Sequence, residues 1–181
     1  MDAEAARPSG LPQQAGGPTE LTFRRPVEAD HRRLVGLVDD WWGGRPLHHL
    51  LHRLWFQHFT GTSWIAEAPD ATPAGFLVGF VSPDDPTVGY VHMVAANPDL
   101  RHRGVGRELY RRFLEDVAAR GVREVRAITW AGNSASIAFH TAIGFRVDDG
   151  AGAHPAFGTT AYPDYEGDGR DMVVFRRRLD G

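Results

Sequence analysis

The sequence predicts a mixed α/β domain in which helices pack on a central β-sheet. Apolar residues recur every four positions from Val105 to Val117 in an otherwise polar segment, which is the spacing of an amphipathic helix. The long apolar run Val88–Ala96 predicts a central strand that is buried on both faces of the sheet. Strand and helix patterns alternate along the chain without an internal repeat, which favours a layered architecture.

The composition is that of an ordinary globular protein. The chain has 181 residues, of which 42% are hydrophobic and 24% charged, and this length suits one domain with its own core. A net charge of -3 gives no strong attraction for nucleic acid or for an anionic membrane. The absence of cysteine excludes disulfides, thiolate nucleophiles and cysteine metal sites. We find neither a bilayer-length apolar run nor a secretory signal pattern, and therefore expect a cytoplasmic protein.

The N-terminal part predicts a tail, a strand and two helices. Residues 1–18 are rich in Ala, Pro, Gly and Gln and predict a disordered tail before a single domain at 19–181. Residues 21–25 alternate in polarity, which predicts the first strand. Asp30 is expected to cap a helix that reaches about Trp41. Pro46 suits the first turn of a second helix.

The remaining elements follow from the same patterns. Strands are expected at 63–67, 75–82, 88–96, 124–129, 145–147 and 172–179. The amphipathic helix is expected to run from Val105 to about Arg120, and Asn133 is expected to cap a helix that ends near Ala142. Residues 149–168 are rich in glycine and predict a loop.

One loop between a strand and a helix is typical of a phosphate-binding site. Its glycines leave room for a ligand to approach the backbone, and the helix start offers N–H groups at the positive end of the helix dipole. Three arginines in seven positions add charge and forked hydrogen-bond donors. The residues are Arg101, His102, Arg103, Gly104, Val105, Gly106 and Arg107.

The loop by itself leaves the alternatives open. A tight strand-to-helix turn with a solvated basic face would look the same. The spacing is not the G-x-G-x-x-G of a dinucleotide fold, and the lysine of a P-loop is missing.

A second motif narrows the choice, because the two together resemble the GNAT superfamily of acyl-CoA-dependent N-acyltransferases. The first family motif, Arg/Gln-x-x-Gly-x-Gly/Ala, matches the segment at 101–106. The second is Asn-x-x-Ala/Ser followed by an apolar residue, Tyr or His, and Gly-Phe. It matches Asn133, Ser136, Phe139, His140, Gly144 and Phe145. The resemblance covers about residues 20–180 and is strongest over 88–145. At the position of His140 other members of the family often have tyrosine, and at the position of Ala142 they often have a basic residue.

The resemblance implies a fold and a cofactor. The expected fold is a mixed, mostly antiparallel sheet of about six to seven strands, splayed between strands 88–96 and 124–129. Acetyl-CoA would enter that gap as acyl donor. Backbone groups of Val94 and Ala96 would pair with its pantetheine arm, the amides of residues 102–107 would hold its pyrophosphate, and Asn133 would contact the arm from the other side.

Direct acyl transfer to an amine needs no enzyme nucleophile, in keeping with a chain that lacks cysteine. A backbone N–H near Val94 is the expected oxyanion donor. His140 is the candidate general acid for the leaving thiolate, since a histidine pKa of about 6.5 lies below a thiol pKa of about 8.5. His92 is a candidate general base and shares a strand face with Tyr90, although core packing would explain either residue.

The acceptor site is expected near the first two helices and the end of strand 124–129. Asp40 could attract a cationic amine, and Trp41, Trp42 and Trp130 could line the pocket that binds it. For Trp41 and Trp42, packing in the core or at a dimer contact is an equal alternative. His48 and His52 could face one ion, but no third ligand is identifiable and we expect no metal.

Three functions compete at this stage. The leading hypothesis is an N-acetyltransferase acting on a small-molecule or peptide amine, with no nucleic-acid or membrane partner and with a homodimer possible. The second is a catalytically inactive acyl-CoA-binding regulatory module. The third is a nucleotide-phosphate binding protein that uses the same loop.

Overall fold

The computed structural model describes residues 20–100 and 103–179. The described strands, β1 to β9, are Thr22–Arg24, Trp64–Glu67, Pro73–Val81, Val88–Ala96, Glu124–Trp130, Arg146–Val147, His154–Ala156, Thr159–Ala161 and Met172–Arg178. The helices, α1 to α5, are Asp30–Val35, Val38–Trp41, Trp55–His58, Val105–Ala118 and Ser134–Ala142. The tail predicted at 1–18 lies outside the described residues, as do Arg101 and His102.

Seven strands form one sheet in the order β1-β2-β3-β4-β5-β9-β6. Its neighbouring strands run antiparallel except for β4 and β5, which are parallel. The parallel pairing joins Val88–Val91 to residues 124–127 and stops there, although both strands continue. The predicted mixed sheet with a splay between these two strands is therefore confirmed.

Each face of the sheet carries its own core. The α4/α5 face buries Val91, Leu109, Phe113 and Phe175 in one cluster. The opposite face, covered by α1 to α3, buries a second cluster that includes Met93. The helix α4 presents its predicted apolar stripe to the first cluster, since Leu109 and Phe113 have no exposed surface.

The two helices predicted after the first strand are wrong in extent. The first is divided into α1 and α2 by a break at Gly36, and Asp30 is the first residue of α1 rather than its cap. The region of the second forms a short 3-10 turn, His48–Leu50, before the four-residue α3. The 149–168 segment, predicted as a loop, contains the β7–β8 hairpin. Short elements held by tertiary contacts give weak periodic signals, so sequence patterns miss their limits.

A buried ionic cluster ties β1 and β2 to α1. The Arg24 guanidinium donates to both carboxylate oxygens of Asp30 at 2.7 Å and to both of Glu67 at 2.8 Å. Arg33 adds a bond to Glu67 at 3.0 Å. Asp30 is 2% exposed, so its charge depends on these partners.

Candidate active site

The splay between β4 and β5 opens a wedge whose edge carries backbone hydrogen-bonding groups. The N–H of Asn97 donates to the Ala74 carbonyl of β3 at 2.9 Å. Because backbone groups of successive strand residues point to opposite edges, Val94 and Ala96 direct theirs away from β3, into the wedge. These are the two residues that the family resemblance placed against a pantetheine arm.

The start of α4 lies just after the C-terminal end of β4 in the chain. Gly104 precedes the helix with a φ of +74°, a left-handed conformation that favours glycine. A Cβ at this position would meet no atom of residues 20–100 or 103–179 within 4 Å, so those residues leave the space beside the backbone open. Among the described residues, no side chain caps the helix start. An uncapped helix start beside open space fits the diphosphate of a CoA molecule.

The neighbouring parts of the predicted loop have different surroundings. Arg103 and Arg107 are exposed, whereas Val105 is buried in the core and contributes to packing. Gly106 faces the Phe139 ring of α5, and a Cβ there would lie 3.1 Å from its Cζ. Arg101 and His102, which were also predicted to bind the cofactor, lie outside the described residues.

Asn133 holds the start of α5, as its sequence position predicted. Its Oδ1 accepts from the Ser136 N–H at 3.2 Å, and its Nδ2 donates to the Thr129 hydroxyl at 3.1 Å. These bonds link α5 to the end of β5, on the wall of the wedge opposite β4. One Nδ2 hydrogen remains for a ligand.

A β-bulge in β4 places His92 on the α1–α3 face. Val78 and Gly79 of β3 are adjacent, but they pair with Met93 and Val91, so His92 is the extra residue. Val91 therefore faces the α4/α5 core while Met93, two positions later, faces the other core. The bulge lies just past the last β4–β5 pair, at the point where the wedge opens.

His92 is fixed by two contacts that the sequence did not reveal. Its ring stacks on Trp55 of α3 with centroids 4.3 Å apart, and Nε2 lies 3.0 Å from the Leu50 carbonyl oxygen. A carbonyl only accepts, so Nε2 carries the proton and neutral Nδ1 has a free lone pair. Burial lowers the pKa of His92, against a smaller opposing effect of the Leu50 carbonyl. The ring is therefore a neutral potential base near pH 7.

Tyr90 shares the face of His92, as the strand pattern predicted. Its ring lies 5.6 Å from that of Phe80, which in turn lies 5.9 Å from Trp55. Burial raises the pKa of the Tyr90 hydroxyl, which keeps it protonated. It can donate a hydrogen bond, but it is a poor base.

His140 lies on the other face and is 4% exposed. Its Nδ1 is 2.8 Å from the Ser136 carbonyl and therefore carries a proton, while Nε2 is 2.7 Å from the Tyr110 hydroxyl. The ring also stacks on Phe175 at 4.4 Å. Burial lowers the pKa of His140, and the Ser136 carbonyl opposes this shift. Both nitrogens are engaged, so a proton could leave this ring only if one of these bonds rearranged.

The predicted acceptor residues are divided between two places. Trp130 is the last residue of β5. In the same strand Val125 and Ala127 face the α4/α5 core, and because side chains alternate between the faces, Trp130 lies on the opposite face, the one that carries His92. Trp41 is 7% exposed and packs in the second core with its ring 6.3 Å from Phe76. Core packing accounts for Trp41.

Asp40 lies elsewhere, in a cavity of about 370 Å³ that Asn97 and Asp99 also line. Trp42 is half-buried and packs at the edge of the second core. This cavity lies at the C-terminal end of β4, several residues away from the bulge at His92. The structure therefore brings Trp130 to the face of His92 but leaves Asp40 at the far end of the strand.

The histidines near the 3-10 turn do not assemble a metal centre. His48 Nδ1 lies 2.6 Å from an Asp39 carboxylate oxygen, and the same carboxylate accepts from the His48 and Leu47 N–H groups. Over residues 20–100 and 103–179 there is no group of three or more side chains that could bind a metal ion. In the same ranges, no helix has the length and apolar character that crossing a membrane requires.

A sheet opened between two parallel strands, with an uncapped helix at the open end, defines the fold class of the acyl-CoA-dependent acyltransferases. The sequence model of the Acetyltransferase (GNAT) family matches residues 30–145 of this chain. This chain belongs to that family.

Two proteins of similar sequence are named as acetyltransferases. An L-2,4-diaminobutyric acid acetyltransferase of Nocardia farcinica is 34% identical over 111 residues, which are 61% of this chain and 57% of that protein. An L-methionine sulfoximine/L-methionine sulfone acetyltransferase of Pseudomonas aeruginosa is 30% identical over 128 residues, or 67% of this chain and 73% of that one. The chain thus matches little more than half the length of the Nocardia protein.

Solved structures show the same fold. The diaminobutyrate acetyltransferase of Paenibacillus lautus, solved with L-2,4-diaminobutyric acid and coenzyme A, has a TM-score of 0.65 and 24% identity. The similarity covers 90% of this chain and 98% of that chain. At this identity the comparison establishes the fold alone.

Proposed function

We propose that this chain transfers an acetyl group from acetyl-CoA to a primary amine of a small molecule. The observation that carries the proposal is the wedge, which has an open helix start at one end and the His92 bulge at its apex. This arrangement would hold an extended donor in one orientation and bring its acyl end beside a neutral base. Alignment of two bound reactants can by itself lower a barrier by about 7–11 kcal/mol.

The residues that would hold acetyl-CoA follow from the wedge. The diphosphate would bind at the N–H groups around Gly104 and Gly106, with Arg101, His102, Arg103 and Arg107 as the flanking residues. Backbone groups of Val94 and Ala96 would pair with the pantetheine arm, and Asn133 would contact it from the opposite wall. Acetyl-CoA supplies the acetyl group as an activated thioester.

His92 would act as the base for the acceptor. Its Nδ1 lone pair would accept a proton from the incoming amine, either directly or through one water, as the new N–C bond forms. A backbone N–H near Val94 would donate to the acyl oxygen. His140 is the candidate for returning a proton to the departing sulfur, a step that would require one of its two hydrogen bonds, to Ser136 or Tyr110, to rearrange.

The acceptor class that the relatives favour is a small α-amino acid. The compounds for which the Nocardia and Pseudomonas relatives are named, diaminobutyric acid and methionine sulfoximine or sulfone, are all α-amino acids. An inactive acyl-CoA-binding module would have no need of a neutral histidine at the apex of the wedge. The geometry of His92 therefore favours an enzyme.

An acceptor screen tests the proposal. Acetyl-CoA is incubated with the protein and a panel containing L-2,4-diaminobutyrate, L-methionine sulfone, other amino acids, diamines and a peptide, and acetylated products are identified by mass spectrometry. We expect acetylation of at least one amino acid, which His92→Ala slows. Micromolar CoA binding by calorimetry, with no transfer to any amine, would instead establish the inactive binding module.

A further inference from the structure

Two aromatic side chains lie together in solvent beside the wedge. The rings of Trp130 and Phe157 are 5.7 Å apart, and the residues are 47% and 72% exposed. Trp130 ends β5, whereas Phe157 is at the tip of the β7–β8 hairpin. Exposed aromatic pairs have hydrophobic surface that a partner or a ligand can cover.

The Trp130 ring is held in place by the turn that follows β5. A Cβ at Gly132 would lie only 2.3–2.7 Å from atoms of the indole six-membered ring. The ring therefore occupies the space of a side chain that Gly132 lacks. This contact fixes the indole without burying it, so one part of its surface stays available.

Phe157 contradicts the usual preference of its turn. The hairpin joins Ala156 to Thr159 through two residues, and both Phe157 and Gly158 have positive φ values, +51° and +77°. Such a turn favours Asn, Asp or Gly at its first position, and a bulky residue there is strained. The hairpin would fold better with asparagine. A strained, exposed aromatic residue is therefore better explained by function than by folding.

The charge around the pair favours a cation. The segment between β8 and β9 starts beside Tyr162, which bridges to Met172, the partner of Trp130 on β9. This segment contains four carboxylates and one guanidinium, from Asp164, Glu166, Asp168, Asp171 and Arg170. A protonated amine over the two ring faces would gain cation–π attraction in this negative field.

We propose that Trp130 and Phe157 bind a second, protonated amine of the acceptor while the first amine reacts near His92. The inference rests on the proposed function and names its substrate class: compounds with two amines, such as diamines and diamino acids. Trp130 lies on the same face of the sheet as His92, so an acceptor held by the aromatic pair would lie on the face that carries the proposed base.

Matched acceptors and variants test this site. L-2,4-diaminobutyrate is compared with 4-aminobutyrate, and 1,4-diaminobutane with butylamine; each pair differs by one amine. Phe157→Asn removes the ring and supplies the favoured turn residue, while Phe157→Tyr keeps an aromatic face. Val27→Asn is the control, because it removes a 55% exposed apolar side chain at the β1 side of the sheet.

We expect the wild-type protein to prefer the compound with two amines in each pair. Phe157→Asn should reduce that preference about three- to ten-fold, with the KM for acetyl-CoA unchanged and the melting temperature equal or higher. Phe157→Tyr and Val27→Asn should keep the preference. If Phe157→Asn lowers the melting temperature but leaves the preference for compounds with two amines unchanged, the proposed site is wrong. If Phe157→Asn reduces the turnover of butylamine as much as that of 1,4-diaminobutane, the two rings form an apolar surface and not a cation site.

Binding measurements separate this inference from the proposed function. Calorimetry with each amine on CoA-saturated protein reports acceptor affinity without turnover. Preferential binding of 1,4-diaminobutane that Phe157→Asn abolishes, in a protein that acetylates nothing, would support the site and refute the enzyme. Turnover of monoamines and diamines at equal efficiency, with equal affinities, would support the enzyme and refute the site.

Discussion

A charge placed at Gly104 should weaken the binding of CoA specifically. We compare Gly104→Asp with Gly104→Asn, because both residues tolerate the left-handed backbone at φ +74° better than other side chains do. The Cβ of either residue would meet no atom of the described part of the chain within 4 Å, so neither variant clashes with that part. Each is expected to lose about 1 kcal/mol of stability relative to glycine. The two side chains have nearly the same shape and differ by one negative charge.

The magnitude follows from Coulomb's law at the helix start. A carboxylate roughly 5 Å from a phosphate oxygen is repelled by about 1 kcal/mol per unit charge in water. A diphosphate with about two charges therefore gives about 2 kcal/mol, or a roughly 30-fold weaker Kd for Asp than for Asn. The ratio should shrink at high salt, since the site is exposed.

Calorimetric titration with CoA measures the two dissociation constants, and thermal unfolding checks that both variants fold equally well. Acetylpantetheine lacks the diphosphate and serves as the control ligand, because the charge at position 104 should not affect its use as a donor. Equal CoA affinities for the Asp and Asn variants would refute the assignment of this helix start. So would a penalty of the same size with acetylpantetheine.

Three other predictions concern single side chains. The lowered pKa of His92 should place the acidic limb of the kcat/KM profile below pH 6.5, and His92→Ala should remove that limb and lower kcat about 100-fold or more; an unchanged profile would exclude this base. If His140 is the acid that protonates the thiolate, His140→Phe should lower kcat roughly 100-fold with little change in KM. If the variant loses thermal stability but keeps its kcat, His140 is a packing residue. Asp30→Asn should cost about 1–3 kcal/mol of unfolding free energy at pH 7 by denaturant titration, since it removes the buried charge that accepts two bonds from Arg24 and leaves Glu67 as the carboxylate bonded to that guanidinium. Burial favours protonated Asp30, but bonds from Arg24 and the Val27 N–H outweigh it and lower the pKa, so the wild type should lose this stability as pH falls below about 4 and the variant should lose less.

The sequence predicted the long elements well because their signals are local. The apolar stripe of α4 and the apolar run of β4 each repeat over enough residues to fix the element type. Several short elements, namely α1, α2 and the β7–β8 hairpin, were misjudged or missed because they are held by tertiary packing, whereas the short strands β1 and β2 were predicted. Phe157 was not singled out from the sequence, because only the glycine that follows it fits the residue preference of a two-residue hairpin turn.

The candidate site shows the same division. Asn133 could be identified as a cap from its own neighbourhood, and it is one. The free lone pair of His92 could not be predicted, because it depends on the Leu50 carbonyl, 42 residues away in the chain. Trp55, which stacks on His92, was likewise missed. Its buried indole N–H has no hydrogen-bond partner within the described residues.

The sequence by itself was enough to indicate the family and to predict a phosphate-binding loop, since glycine positions, arginines and a helix start all lie in one short segment. Only the tertiary structure decided which hydrogen bonds the two candidate histidines make. The bulge in β4 gives His92 an open nitrogen near the wedge, while the packing of α5 against Tyr110 engages both nitrogens of His140. A side chain's hydrogen bonds depend on residues far away in the chain, and therefore on the fold rather than on the local sequence.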